Sequence, residues 1–183
     1  ASDGFRVRAA LKNHPTILIV GNFLSLRRHT RGTCEDLAER LAAVGYPILS
    51  TSRCENRLVR LVDMVFAVWR QRREYHLAQV NVFSGDAFLW AGTVCGMLRL
   101  LGKPFVITLH GGNLPQYARR HPRRVTDLLH QAAAVTAPSE FMRQEMSAYR
   151  PDLQLLPNAI DLARYPFRLR RNLRPQLAWL RAF

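Results

Sequence analysis

Short apolar runs alternate with longer amphipathic stretches along this chain. TILIV (16–20) is a β-branched run that ends at Gly21, and it predicts a strand buried on both faces. A basic loop, NFLSLRRHTRG, follows, then a helix from about Cys34 to Val44. Thr33 and Asp36 suit a capping box at its start, and Gly45 suits its C-cap. YPILST (46–51) reads as a second strand. Residues 56–73 place Leu58, Leu61, Val62, Val65, Val68 and Trp69 at helical spacing. AQVNVF (78–83) predicts a third strand, Ala87 to Leu101 a helix, and GKPFVITL a fourth strand. PQYARRHPRRVTDLLHQAA is helical in pattern, and Pro122 must break it or open a second helix. AVTAP (134–138) predicts a fifth strand, SEFMRQEMSAYR a helix that Ser139 can cap, and LQLLP (153–157) a sixth strand.

This alternation predicts an α/β fold: a doubly wound, mostly parallel sheet of about six strands with helices on both faces, Rossmann-like in class. Ligands of such sheets bind outside the carboxyl ends of the strands. The residues there are Gly21–Asn22, Ser50–Thr51, Ser84–Gly85–Asp86, His110–Gly111–Gly112–Asn113, Ser139 and Asn158. All are small or polar, as a binding face requires. Turns use the same residue types, so each alone is also explained as a turn former. After Asp161 no acidic residue occurs, and five arginines and two prolines fall within ARYPFRLRRNLRPQ. The expected division is therefore a domain over 1–162, a basic linker over 163–175, and over 176–183 the first strand of a further domain.

Net charge changes the picture more than overall composition does. The formal charge is +14, and only Lys12 and Lys103 among the 27 basic residues are not arginine. Arginine favours bidentate contacts to phosphate and carboxylate, so a polyanionic partner or an anionic membrane surface fits, as does a plainly solvated basic face. Cys34, Cys54 and Cys95 are widely spaced and form no CxxC pair, which argues against a disulfide framework or zinc site and for a cytoplasmic chain. The longest apolar stretch, FLWAGTVCGML, is too short to span a bilayer, so peripheral attachment at the inner membrane face is the form membrane contact would take.

Motifs narrow the chemistry. The loop after the first strand does not match GxGxxG, and no GxxxxGK[ST] occurs. Arg31–Gly32–Thr33 open the first helix, where unpaired N–H groups and the dipole suit a phosphate. His110 sits at the mouth of the fourth strand, where a neutral imidazole can donate or accept, and Gly111 and Gly112 permit close backbone approach. No Ser/His/Asp triad, carboxylate pair or metal-ligand cluster has recognisable spacing.

Gly21–Asn22–Phe23, CEDLAERLAAVGYPILSTS, KPFVITLHGGNLP, AVTAPSEF and LLPNAIDL occur in that order. Together they resemble the N-terminal half of family 4 glycosyltransferases, the GT-B-type enzymes with two facing Rossmann-like domains. The resemblance implies retaining transfer of a sugar from a nucleotide-sugar co-substrate to a glycan, lipid-linked or small-molecule acceptor, without a metal. It puts Gly21, Asn22 and Gly32 near the donor diphosphate, with Arg31 standing where members commonly carry a glycine. It puts His110 beside the transferring sugar as a catalytic, sugar-positioning residue. Ser84, Asp86, Gly111, Gly112, Asn113, Ser139 and Asn158 fall on the cleft and acceptor side. The donor-holding C-terminal domain would lie beyond this chain, leaving it half an enzyme. A non-enzymatic anion- or nucleic-acid-binding domain is the alternative that charge alone allows, although no RNP pattern or zinc finger indicates a specific nucleic acid.

Overall fold

The computed structural model describes residues 14–21, 33–51 and 57–158. These form β1 (Ile17–Val20), α1 (Thr33–Ala43), β2 (Ile48–Ser50), α2 (Arg57–Arg70), β3 (Leu77–Val82), α3 (Asp86–Leu100), β4 (Phe105–Leu109), α4 (Leu114–Arg120), α5 (Pro122–Gln131), β5 (Ala134–Ala137), α6 (Glu140–Met146) and β6 (Gln154–Leu155). The expected linker and further strand, 163–183, lie outside the described residues, as do Asn22, Arg31 and Gly32.

The six strands form one sheet in the order β2-β1-β3-β4-β5-β6, and every pairing is parallel. The chain steps one way from β1 to β2 and the other way for every later strand, so the topology reverses between β1 and β3. Right-handed crossovers then put α1 on one face and α2 to α6 on the other. The core agrees. Ile17 and Ile19 pack with Cys34, Leu37 and Leu41 of α1. Leu18 and Val20 belong to the larger core with Val68 of α2, Leu98 of α3, Leu114 of α4, Leu129 of α5 and Met146 of α6. Helices thus occupy both faces, very unequally among the described residues.

That inequality matches the strand sequences. β1 is buried throughout, as its unbroken apolar run requires. In β3 and β4 the register aligns Val80 with Ile107 on the crowded face. The opposite face carries Gln79, Asn81, Thr108 and Thr136, a polar strip that α1 meets along one side, at Asn81. Gln79 Nε2 donates to Asn81 Oδ1 (2.6 Å) and Thr108 Oγ1 (3.0 Å), and the Thr108 and Thr136 hydroxyls bond each other at 2.9 Å.

Local signals were realised closely. Gly45 ends α1 at φ 96°, with Tyr46 N–H donating to Leu41 O and Gly45 N–H to Ala42 O, a Schellman pair. Pro122 opens α5 in the first-turn position that its missing N–H tolerates. Ser139 Oγ caps α6 by accepting from Met142 N–H at 3.2 Å. Arg150 came without a sequence signal. Its buried guanidinium donates to Leu129 O and Ala132 O at the end of α5, and it also binds the Asp152 carboxylate. Those bonds hold the Asp152 carboxyl below the usual carboxylate range.

Candidate functional site

The carboxyl ends of β1, β3 and β4 border two cavities. The larger, 380 Å³, lies at the β1/β3 switch point and is bounded by Gly21, Thr33, Met64, Asn81, Phe83 and Trp90, among others. Its walls are mostly apolar. The smaller, 150 Å³, lies on the polar face, where Gln79, Asn81, Thr108 and His110 meet Thr33, Asp36 and Arg40 of α1 and the segment ending at Asn158. Thr33 and Asn81 line both, so their side chains form the partition. Asn81 Nδ2 lies 2.8 Å from Cys34 Sγ and 3.4 Å from Thr33 Oγ1, which ties β3 to the start of α1.

His110 follows β4 directly, and its N–H donates to Val82 O at 2.8 Å, continuing the β3–β4 ladder by one residue. Its ring stacks on Phe83 with centroids 5.0 Å apart. The residue is only 7% exposed, and Nε2 is buried without a hydrogen-bond partner. Burial lowers its pKa from the ordinary value of 6.5, because the packed surroundings withhold the hydration that a charged ring would need. A neutral imidazole with an unused nitrogen is therefore held at the edge of a polar cavity. Gln79 Oε1 is likewise buried without a partner. Native interiors seldom leave such atoms unpaired, and Gln71 Oε1, which lines neither cavity, is a third among the described residues.

Gly111 turns the chain away at φ 86°, a conformation that side chains other than glycine rarely adopt. Gly112 carries no such requirement, since a Cβ there would meet nothing within 4 Å. The expected site residues divide accordingly. Gly21 lines the larger cavity, and His110 and Asn158 meet in the smaller one. Ser84, Asp86, Gly111, Gly112 and Asn113 sit at the strand ends but line neither cavity, and Ser139 serves as a helix cap. The strand-end rule missed Gln79, Asn81 and Thr108, which lie within the strands. Their signal was present in the alternation: polar residues at 79 and 81, and at 108 and 110, put four polar side chains on one face of adjacent strands.

Among the described residues, no group of three or more His, Cys, Asp or Glu converges as a metal site would need, and no helix is long and apolar enough to cross a membrane.

Comparison with curated proteins returns no match. Among solved structures, a Trypanosoma cruzi protein described as an aspartate carbamoyltransferase aligns at 12% identity and a TM-score of 0.28. The alignment covers 84% of this chain and 63% of that one, and so weak a likeness says nothing of function. The sequence model of Glycosyltransferase Family 4 matches residues 29–164, a span that takes in α1, the polar strip, His110 and Asn158. With most of its length matched, from the first helix past the sixth strand, the chain belongs to glycosyltransferase family 4, a family of transferase-type enzymes.

Proposed function

We propose that this chain is the acceptor-side half of a retaining glycosyltransferase that moves a sugar from a nucleotide-sugar donor to a glycan, lipid-linked or small-molecule acceptor. The observation that carries the reading is the unpaired Nε2 of His110 beside a polar cavity at the strand ends. Sugars present rows of hydroxyl groups, each able to donate and accept. A cavity offering Gln79 Oε1, Asn81, Thr108 and a neutral imidazole is complementary to such a ligand.

Breaking a sugar–phosphate bond builds positive charge on the sugar and negative charge on the leaving diphosphate. Catalysis needs fixed dipoles and cations at the phosphate and exclusion of water. His110, uncharged by burial, would hold a hydroxyl of the reacting sugar without adding a repelling positive charge. Gly21 and Thr33 line the larger cavity and bracket in sequence Asn22, Arg31 and Gly32, the residues that would meet the diphosphate. No metal is needed for this division of labour.

The test uses the protein carrying both halves, with a panel of nucleotide-sugar donors and acceptors. His110→Ala should lower kcat by at least tenfold with a smaller change in the donor KM, and the product should keep the donor's anomeric configuration. Unchanged turnover and donor hydrolysis in His110→Ala would remove the role given to His110, and an inverted product would overturn retention.

A further inference from the structure

Helix α2 carries two apolar stripes where a surface helix needs one. Its inner stripe, Met64, Ala67 and Val68, is buried in the core. Its outer stripe faces solvent: Val62 is 68% exposed, Phe66 51% and Trp69 46%. These three positions recur at helical spacing, so they share one face. A shallow groove of 430 Å³ runs between this stripe and α3, with Thr93 and Met97 as its other wall. Leu89, one turn before Thr93, is exposed, and so is Leu100, one turn after Met97. The result is an apolar band two helices wide. Thr93 is the one polar side chain in the groove, and its hydroxyl is already given to Leu89 O.

The rim is basic at one end. Arg70 and Arg73 are exposed, and the Arg72 guanidinium lies 4.6 Å over the Trp69 ring. Arg99 stands exposed near the end of α3. Asp63 and Glu74 are the acidic residues on and just after α2, so cations outnumber anions there. The occupant must therefore bury apolar area, offer negative charge and need no hydrogen-bonded register. The groove lining itself offers no free hydroxyl or amide to fix the register of a peptide backbone. A phospholipid surface requires none. A tryptophan stacked under an arginine at the end of an apolar stripe also suits the headgroup boundary.

We propose that the outer face of α2, with the adjoining row of α3, is a docking surface for an anionic bilayer, entered by Val62, Phe66 and Trp69 and held by Arg70, Arg72 and Arg73. The same helices line the larger cavity from their inner sides, through Met64 and Trp90. Docking thus sets that cavity about one helix diameter, roughly 10 Å, from the headgroups. If the proposed function holds, a lipid-linked acceptor would then enter from the membrane. The docking surface itself does not depend on sugar transfer.

The experiment is flotation of the 183-residue chain with vesicles of phosphatidylglycerol and phosphatidylcholine, and with phosphatidylcholine alone. The wild type should float with the anionic vesicles and much less with the neutral ones, with binding weakened by salt. Val62→Ser/Phe66→Ser, whose side chains leave the core untouched, should lower partitioning at least tenfold. Arg70→Gln/Arg73→Gln should lower it about fivefold per arginine, and only on anionic vesicles. Circular dichroism checks that both variants fold, and the arginine variant keeps the test alive if the serine variant does not. Absence of flotation by the wild type, or wild-type flotation by the folded serine variant, overturns the proposal. A wild-type dimer that the serine variant dissociates also overturns it, because a second copy would then cover the stripe. Flotation without any transferase activity in the two-half protein would leave the docking surface standing and refute the proposed function alone.

Discussion

Gly21 supports a quantitative prediction. It ends β1, does not adopt the left-handed conformation, and still tolerates no side chain. A methyl group added there would lie 2.1 Å from Cys34 Sγ and 3.3 Å from Cys34 Cβ. Nonbonded heavy atoms settle at about 3.5–4.0 Å, so the sulfur would have to retreat by roughly 1.4 Å or more. Cys34 is buried at the start of α1, and its sulfur accepts from Asn81 Nδ2, so retreat breaks that contact or moves the helix. Gly21→Ala should therefore cost about 1–3 kcal/mol, the usual range for overpacking. Cys34→Ala alone should cost about 1 kcal/mol for a small lost side chain. In the double variant the sulfur clash is gone and only the tight Cβ contact persists, so the costs should fall short of additivity by about 1–2 kcal/mol. Urea unfolding followed by circular dichroism measures all four proteins, with unchanged slopes confirming comparable states. Additive costs, or a Gly21→Ala protein as stable as wild type, would refute this packing account of Gly21 and leave ligand approach as its sole explanation.

Other outcomes follow from the same contacts. Arg150→Ala orphans the carbonyls of Leu129 and Ala132, and should cost about 2–4 kcal/mol, read as a lower urea midpoint. His110 has a folded-state pKa below its unfolded value, so the unfolded chain binds the proton more readily. Its contribution to stability is complete above pH 6.5 and is lost as pH falls through the lowered folded value, and His110→Asn should flatten that part of the stability–pH curve. Gln79→Leu deletes an amide whose oxygen is unpaired but also removes donors to Asn81 and Thr108. Stability should change by less than about 1.5 kcal/mol, while acceptor affinity in a calorimetric titration falls by about tenfold; unaltered affinity would take Gln79 out of the site. Tyr75→Phe removes the buried bond to Val68 O and should cost about 1 kcal/mol by thermal unfolding.

Local rules made much of this fold legible in the sequence. Apolar runs gave the strands, Gly45 and Pro122 placed helix boundaries, and alternation of elements implied a parallel sheet. These signals act within a few residues, where backbone sterics and burial period are enough. The site was less legible, because which strands become neighbours is a long-range result. Only the order β2-β1-β3-β4-β5-β6 brings Gln79 beside Thr108 and sets both beneath His110. Likewise, 56–73 reads as an apolar helix in sequence, yet only packing on the sheet decides which stripe is buried and which faces solvent.

The sequence by itself determined the element types, the parallel class and the polar strand ends, because propensity, capping and periodicity are properties of neighbouring residues. Tertiary structure alone decided that Gly21 must yield space to Cys34, that Ser139 and Asp86 stand apart from the cavities, and that His110 loses its hydration without gaining a partner. Each of those depends on distance between residues far apart in the chain, and the packed sheet sets that distance.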